Sequence, residues 1–186
     1  MNILADLAWL AFLVVWGVGT FVNKRTVRRW EPRALILHVA ILAVAFNLFF
    51  NPWLRRSWLG TRVLPDRDWF DYASDAMQIA GLAFCIWARL HIGRNWSGMI
   101  TLKEDHTLVR SGPYAVVRHP IYSGLLLAFL GKVLDHGDVA ALLGFLLLVV
   151  TWKQKSLTEE RLMVQQFGAE YERYRGDVKG LIPGVW

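Results

Sequence analysis

The segment from His106 to Tyr122 holds the residues best suited to chemistry in this chain. It reads HTLVRSGPYAVVRHPIY and places two histidines, two arginines, two tyrosines and a Gly-Pro turn between strongly apolar runs. Charged and polar groups at the boundary of a membrane are costly to desolvate, so they are retained where they bind something. The segment therefore predicts a binding site.

Arg118-His119-Pro120 predicts the start of a helix at Pro120. Proline fits the first helical turn because its missing N–H has no partner there, and it disfavours helical geometry at His119. Backbone N–H groups at a helix N-terminus, beside Arg118 and His119, suit an anion such as a carboxylate. The alternative is that these cations only contact lipid headgroups, but the flanking Tyr114 and Tyr122 favour a site.

Glu159-Glu160 is the second candidate for chemistry, because oppositely charged residues surround it. Lys153 and Lys155 precede the pair and Arg161 follows it. A carboxylate here can accept hydrogen bonds from ribose hydroxyls or lie near a cation, and a nearby lysine can hold a substrate carboxylate as a point charge. The alternative is a solvated carboxylate pair on a helix surface.

The elements that must position these residues are membrane helices. The chain of 186 residues is 55% hydrophobic with a mean hydropathy of +0.32, and its tryptophans and phenylalanines suit membrane interfaces. Apolar blocks long enough to approach a hydrocarbon core of about 30 Å predict five transmembrane helices. Their predicted bounds are about 3–22, 34–50, 73–92, 121–134 and 139–151, the last two forming a hairpin around Asp135–Asp138.

The basic residues predict the orientation of these helices. With the N-terminus outside and five alternating spans, 16 of the 21 basic residues fall on the inner side. The positive-inside rule then places the C-terminus in the cytoplasm. Because the net charge of +6 follows the loops of a membrane protein, we expect no nucleic-acid partner.

The polar tail is predicted to fold back beneath the fifth span. Its composition favours cytoplasmic helices at 156–167 and 169–175, separated by Gly168 as a C-cap. The fold class is therefore all-α, in one domain over residues 1–186. The single cysteine, Cys85, and the scattered histidines argue against a metal site. There is also no Gly-rich phosphate loop and no dinucleotide fingerprint in the sequence.

The C-terminal half resembles the isoprenylcysteine carboxyl methyltransferase family and, more distantly, the phospholipid methyltransferases. The order and spacing of several short motifs carry the resemblance: Gly93-Arg94-Asn95-Trp96-Ser97, His106-Thr107-Leu108-Val109, Ser111-Gly112-Pro113-Tyr114, Arg118-His119-Pro120-Ile121-Tyr122, Glu159-Glu160, Phe167-Gly168, Tyr171, Tyr174 and Ile182-Pro183.

The resemblance implies that S-adenosylmethionine is the cofactor and that its pocket is built from the connector between the third and fourth spans and from the tail. His106, Thr107, Leu108 and Val109 would line the adenosine side. Tyr114 and the turn of His119, Pro120, Ile121 and Tyr122 would hold the methionine part, and Glu159 matches the cofactor-binding glutamate of the family. The implied reaction is methyl transfer by in-line displacement at the membrane–cytoplasm interface. Its implied acceptor is lipophilic and carries a carboxylate, either prenylcysteine-like or of another isoprenoid or lipid.

One residue departs from the family pattern. The eukaryotic enzymes place a substrate-contacting arginine four residues before the cofactor glutamate, where this chain has Lys155. Lysine pairs with a carboxylate but lacks the bidentate geometry of arginine, which puts a prenylcysteine substrate in doubt. We therefore expect a lipophilic small-molecule or lipid acceptor, with Arg118, Lys155 and Glu159 as the catalytic candidates.

Two other functions compete with this interpretation. One is an NADPH-dependent membrane reductase of the sterol-reductase type, and the other is a non-enzymatic membrane scaffold whose basic loops contact anionic lipid. The Arg-His-Pro turn together with Glu159 suits S-adenosylmethionine better than NADPH. The short chain is typical of prokaryotic relatives and implies a bacterial or archaeal cell membrane.

Overall fold

Helices dominate the structure, which is a computed structural model. It describes residues 3–20, 26–29, 32–93, 96, 101–103 and 108–184. Within these residues the α-helices are α1 (Ile3–Thr20), α2 (Pro32–Phe50), α3 (Asp68–Ile92), α4 (Pro120–His136), α5 (Val139–Phe167) and α6 (Ala169–Asp177). The predicted all-α class is confirmed except for one short antiparallel pair of strands, β1 (Thr26–Arg29) and β2 (Thr101–Lys103).

Within the described part of the chain, two helices are long and apolar enough to cross a membrane, namely Arg33–Phe50 in α2 and Val139–Phe167 in α5. The apolar part of α1, Ile3–Gly19, is slightly shorter. Helix α4 has 17 residues, or about 26 Å, and α3 carries charged side chains at both ends. The five-span arrangement therefore stays a prediction. Residues 21 and 22 of the first predicted span lie outside the described residues.

Helices α3 and α4 approach closely because glycines face each other. A Cβ atom on Gly124 would lie 2.5 Å from the carbonyl oxygen of Gly81 and 2.6 Å from Sγ of Cys85. About two turns further along α4, a Cβ atom on Gly131 would lie 2.7 Å from the carbonyl oxygen of Ser74. Small residues that let backbones approach are typical of helix contacts in membranes. This contact fixes α4, and with it the Arg-His-Pro turn, against α3.

Helices α2 and α5 pack around a core on the other side of α4. Gly144 lies against the ring of Phe49, and Phe49 packs with Phe129, Leu148 and Trp152. Apolar side chains on the opposite faces are exposed, for example Ile36 at 68%. Outward-facing apolar side chains are what a helix in contact with lipid presents.

The α4–α5 hairpin is pinned by the loop that precedes α3. Gly137 ends α4 with a left-handed φ of 66°, and Asp138 caps α5 by accepting a hydrogen bond from the Ala141 N–H. Nη2 of Arg55 lies 2.6 Å from Oδ2 of Asp138, and the backbone N–H of Val63 donates to the Gly137 carbonyl. The loop of residues 51–67 therefore fixes the turn at residues 137 and 138.

Helix α5 is continuous where the sequence predicted two separate helices. The predicted segments 139–151 and 156–167 both lie in this one helix of 29 residues, which is about 43 Å long. Residues 152–155, Trp-Lys-Gln-Lys, contain no glycine or proline, so nothing in them interrupts the helix. The helix ends at Gly168, whose φ is 50°, and α6 follows over the predicted segment 169–175.

Candidate functional site

The tail returns to the first turn of α4. The backbone N–H of Arg118 donates to the carbonyl of Lys179 at 2.8 Å, and that of His119 donates to Gly180 at 3.0 Å. The hydroxyl of Ser123 donates to the carbonyl of Leu181 at 2.5 Å. The tail carbonyls therefore accept from the N–H groups of these two residues, and the predicted anion site at the N-terminus of α4 stays a prediction. His119 itself has φ −122° and ψ 62°, outside helical geometry as its position before proline predicted.

The Arg118 side chain joins three elements. Its Nε and Nη2 atoms donate to Oε1 of Glu160 at 3.0 and 2.7 Å. Its Nη1 atom donates to the carbonyl of Arg175 at 3.1 Å and to that of Val178. These carbonyls belong to the end of α6, where cations are favourable. The guanidinium is thus committed to protein acceptors, although the sequence predicted a catalytic role for it.

His119 lies between two carboxylates of α5. Its Nε2 atom is 3.1 Å from Oε1 of Glu160, and its Nδ1 atom is 3.5 Å from Oε2 of Glu159. Burial alone would lower the pKa of His119, but the hydrogen bonds and negative charges of both glutamates outweigh it and raise the pKa above its ordinary value. His119 therefore holds its proton more strongly than a free imidazole does.

Glu159 is the more accessible of the two carboxylates, with 21% of its side chain exposed. Its Oε1 atom accepts a hydrogen bond from the Tyr122 hydroxyl at 2.6 Å. The ammonium of Lys155, one helical turn earlier on α5, lies 5.4 Å from the centre of the Tyr122 ring. The structure thus brings the predicted Lys155, Glu159, His119 and Tyr122 together at the junction of α4 and α5.

Aromatic rings form one wall of this site. The ring of Tyr122 is nearly parallel to those of His119 and Trp152, with centroids 5.6 and 6.3 Å away. Trp152 did not figure in the sequence-based site. It precedes Lys155 by three residues and Glu159 by seven, which is the spacing of one helix face, so the helical periodicity of α5 was the signal that could have found it.

The connector places Tyr114 beneath the same junction. Tyr114 is buried, its backbone carbonyl accepts a hydrogen bond from the Tyr174 hydroxyl at 2.6 Å, and its ring stacks on that of His91. Burial, and then the charge of Glu159, raise the pKa of the Tyr114 phenol. The phenol therefore stays protonated and can act as a donor.

The structure describes some of the remaining predicted residues and not others. Pro120 is buried at the start of α4. The Sγ–H of Cys85 donates a hydrogen bond to the Ile121 carbonyl at 3.2 Å. Leu108 and Val109 are partly buried and lead into the turn that holds Tyr114. His106 and Thr107 lie outside the described residues. Among the residues that the structure describes, no group of three or more His, Cys, Asp or Glu side chains is arranged to hold a metal ion.

Comparison with known proteins gives matches over the same region. The family model for the isoprenylcysteine carboxyl methyltransferase (ICMT) family matches residues 75–165, from α3 into the second half of α5. The match begins earlier than the motifs that we identified in the sequence and ends before the tail motifs at 167–183. It includes the Arg-His-Pro turn and both glutamates.

Individual relatives agree with the family model. A protein-S-isoprenylcysteine O-methyltransferase of Schizosaccharomyces pombe is 40% identical over 101 residues, which cover 52% of this chain and 42% of that protein. Protein-S-isoprenylcysteine O-methyltransferase B of Arabidopsis thaliana is 27% identical over 157 residues, covering 82% of this chain and 74% of that protein. By their names these relatives act on isoprenylcysteine in proteins, whereas the sequence led us to expect a small-molecule or lipid acceptor.

The fold is also that of a solved membrane enzyme. The structure of the eukaryotic intramembrane Ras methyltransferase ICMT matches with a TM-score of 0.56 and 23% identity, over 86% of this chain and 55% of that one. This chain thus spans about half the length of that enzyme and of the S. pombe relative. The family model and the named relatives thus support membership of this chain in the isoprenylcysteine carboxyl methyltransferase family, and the solved structure shows that the fold is shared.

Proposed function

We propose that this protein transfers a methyl group from S-adenosylmethionine to a carboxylate on a lipophilic, prenylcysteine-like acceptor at the membrane surface. The observation that carries the proposal is the convergence of Tyr122, His119, Glu159 and Lys155 where the first turn of α4 meets α5. It brings acidic, basic and aromatic groups together beside the apolar part of α5. Such a boundary can be reached by a water-soluble cofactor from one side and by a lipophilic acceptor from the other.

The residues present fit the proposed cofactor. A carboxylate offers about four acceptor sites, and Glu159 has one hydrogen bond from Tyr122 and one neighbouring imidazole. It can therefore accept from the hydroxyl or ammonium groups that such a cofactor carries. When bound, S-adenosylmethionine supplies a sulfonium methyl group, which a carboxylate oxygen takes as the electron pair of the breaking bond returns to sulfur.

Lys155 is proposed to orient the acceptor. It is buried on the face of α5 that carries Glu159, and its ammonium lies near the Tyr122 ring. A positive point charge there attracts an acceptor carboxylate and holds it near the cofactor. A carboxylate is already ionised at neutral pH, so its attack needs alignment more than a general base.

Arg118 is proposed to position the site and not to touch the reactants. Four of its contacts go to Glu160 and to carbonyls at the end of α6, and only 11% of its side chain is exposed. The role of Arg118 is then to hold the tail against the first turn of α4. This assignment replaces the catalytic role that its position in the sequence indicated.

The placement in the membrane is part of the proposal. Residues 139–151 of α5 are apolar, and polar residues follow from Lys153 onward. We infer that the second half of α5, α6 and the tail lie on the cytoplasmic side of a bacterial or archaeal cell membrane, with the N-terminus of α1 outside. The bias of basic residues toward the same side supports this orientation.

Thermal unfolding of detergent-purified protein tests the proposal. S-adenosylmethionine or its demethylated product should raise the unfolding midpoint, because a ligand that binds the folded state stabilises it. Product formation with a prenylcysteine, first as a small analogue and then on a prenylated protein, identifies the acceptor. Stabilisation by NADPH alone would favour a reductase, and stabilisation by none of these ligands would contradict an enzyme of this kind.

A further inference from the structure

We propose that Glu160 is a positioning residue, which holds His119 as an imidazolium directed at Glu159. Glu160 belongs to the Glu-Glu pair on α5, but no part of the proposed reaction uses it. The inference rests on the proposed function in one respect, namely that Glu159 and His119 belong to the cofactor site. Its experimental test begins without cofactor, so the two proposals can fail separately.

One oxygen atom of the Glu160 carboxylate, Oε1, contacts both Arg118 and His119. Oε1 lies 3.0 and 2.7 Å from Nε and Nη2 of Arg118, and 3.1 Å from Nε2 of His119. Only 9% of the Glu160 side chain is exposed. A carboxylate that is buried and bonded in this way is directed at protein donors and not at a ligand. Its effect on a ligand must then pass through His119.

The geometry of His119 explains how that effect passes. The imidazole has Glu160 at Nε2 and Glu159 at Nδ1, so each ring nitrogen faces a carboxylate oxygen. With Nε2 held by Glu160, the ring is fixed and its Nδ1–H points toward Glu159. Stacking on Tyr122 limits rotation from the side. A carboxylate that binds one ring nitrogen of a histidine fixes the orientation of the ring and favours its protonated form.

Several charged groups surround His119, and the balance among them decides its protonation. Glu159 and Glu160 of α5 favour the proton, whereas burial opposes it. The other described ionisable groups that interact with this cluster are His38, Tyr114, Arg118, Tyr122, Lys153, Lys155, Tyr171 and Tyr174. Removing the Glu160 charge leaves His119 buried with one carboxylate in place of two. The imidazole should then lose its proton at a lower pH. Above that pH, Glu159 no longer has the positive charge of His119 beside it.

Titration of ¹⁵N-histidine-labelled protein in detergent tests the inference directly. His119→Gln assigns the His119 signal, and Glu160→Gln removes the charge while keeping the shape and one acceptor oxygen. We expect the His119 midpoint to lie above 6.5 in the unaltered protein and to fall by about 1–2 pH units in E160Q. Glu160→Asp keeps the charge and should retain most of the shift. A purely packing role would make the shortened aspartate at least as harmful as glutamine.

The matched control is Glu170→Gln, which removes an exposed carboxylate that lies 3.2 Å from Arg110. It should leave the His119 midpoint unchanged. In a second measurement, the affinity for S-adenosylhomocysteine is followed against pH. It should fall as the pH rises through the His119 midpoint. In E160Q this fall should occur at a lower pH, by the same number of pH units as the His119 midpoint shifts. A His119 midpoint below 6.5 in the unaltered protein would overturn the inference even if E160Q did not fold. Equal midpoints in folded E160Q and unaltered protein would also overturn it.

Loss of cofactor binding in the unaltered protein is a separate outcome. If S-adenosylhomocysteine does not bind while the His119 midpoint falls in E160Q, the proposed function fails. The control of His119 by Glu160 is then still supported.

Discussion

Arg118 and Glu160 lie 42 positions apart in the chain, yet Nη2 of the one is 2.7 Å from Oε1 of the other. Both side chains are largely buried, and the same guanidinium reaches the carbonyls of Arg175 and Val178. One residue thus joins the connector, the second half of α5 and the end of α6. The site depends on this junction because His119, the next residue, shares Glu160 with Arg118.

Arg118→Lys should destabilise the protein. Lysine keeps the charge but cannot serve Glu160 and the α6 carbonyls at once, so buried acceptors lose partners at a cost of about 1–3 kcal/mol. The unfolding midpoint in detergent should fall measurably. Arg175→Lys is the matched control, since its pair with Glu172 is exposed and should contribute less than about 1 kcal/mol. Equal midpoints for the two variants would contradict the role of Arg118.

Lys155→Met should separate acceptor turnover from cofactor binding. Methionine keeps the buried, unbranched side chain but removes the charge, so kcat/KM for a carboxylate acceptor should fall by about 10–100-fold. Affinity for S-adenosylhomocysteine should change much less, and Lys155→Arg should recover part of the turnover. Unchanged turnover in Lys155→Met would show that this cation does not hold the acceptor.

The stability of the protein should depend on pH through His119. The folded-state pKa of His119 is raised above its unfolded value of about 6.5, so its contribution is complete below that pH. The contribution is lost as the pH rises through the folded-state pKa. The unfolding midpoint should therefore decline on the alkaline side of 6.5, and less so in His119→Gln. If the unfolding midpoint of the unaltered protein instead rose relative to that of His119→Gln with increasing pH, the predicted direction of the pH dependence would be contradicted.

Gly124→Ala should be strongly destabilising. The added methyl group would meet the Gly81 carbonyl at 2.5 Å and Cys85 at 2.6 Å, so α3 and α4 must move apart, at a cost of about 1–3 kcal/mol. Gly17→Ala on α1 is the matched control, because nothing lies within 4 Å of the added atom. Thermal unfolding of both variants checks the prediction, and it is wrong if Gly124→Ala is as stable as Gly17→Ala.

Local signals in the sequence predicted the helices around the site well. Pro120 begins α4, Gly168 ends α5, and Gly137 lies in the turn between α4 and α5. Each of these residues acts on its own backbone conformation, so its effect can be deduced without knowledge of the fold. The number of membrane spans is harder to deduce, because α3 and α4 combine apolar faces with charged ends or short length.

Long-range pairing is what the sequence did not reveal. The Arg-His-Pro turn predicted an anion site at the N-terminus of α4, but no local signal indicated that the carbonyls of Lys179 and Gly180 accept from the N–H groups of Arg118 and His119. The family resemblance singled out Glu159, but the charge pattern did not show that Glu160 faces Arg118 while Glu159 faces Tyr122, which depends on the rotation of α5. Such choices depend on how helices pack and not on local composition.

Calorimetric titration of the purified protein with S-adenosylhomocysteine tests the central claim most directly. The account predicts one-to-one binding that weakens by about tenfold or more in Glu159→Gln, which removes the carboxylate charge that receives the cofactor. Glu170→Gln should bind as the unaltered protein does. Absence of binding in a folded protein, or equal affinity in Glu159→Gln and Glu170→Gln, would contradict the assignment of a methyl-donor site to the junction of α4 and α5.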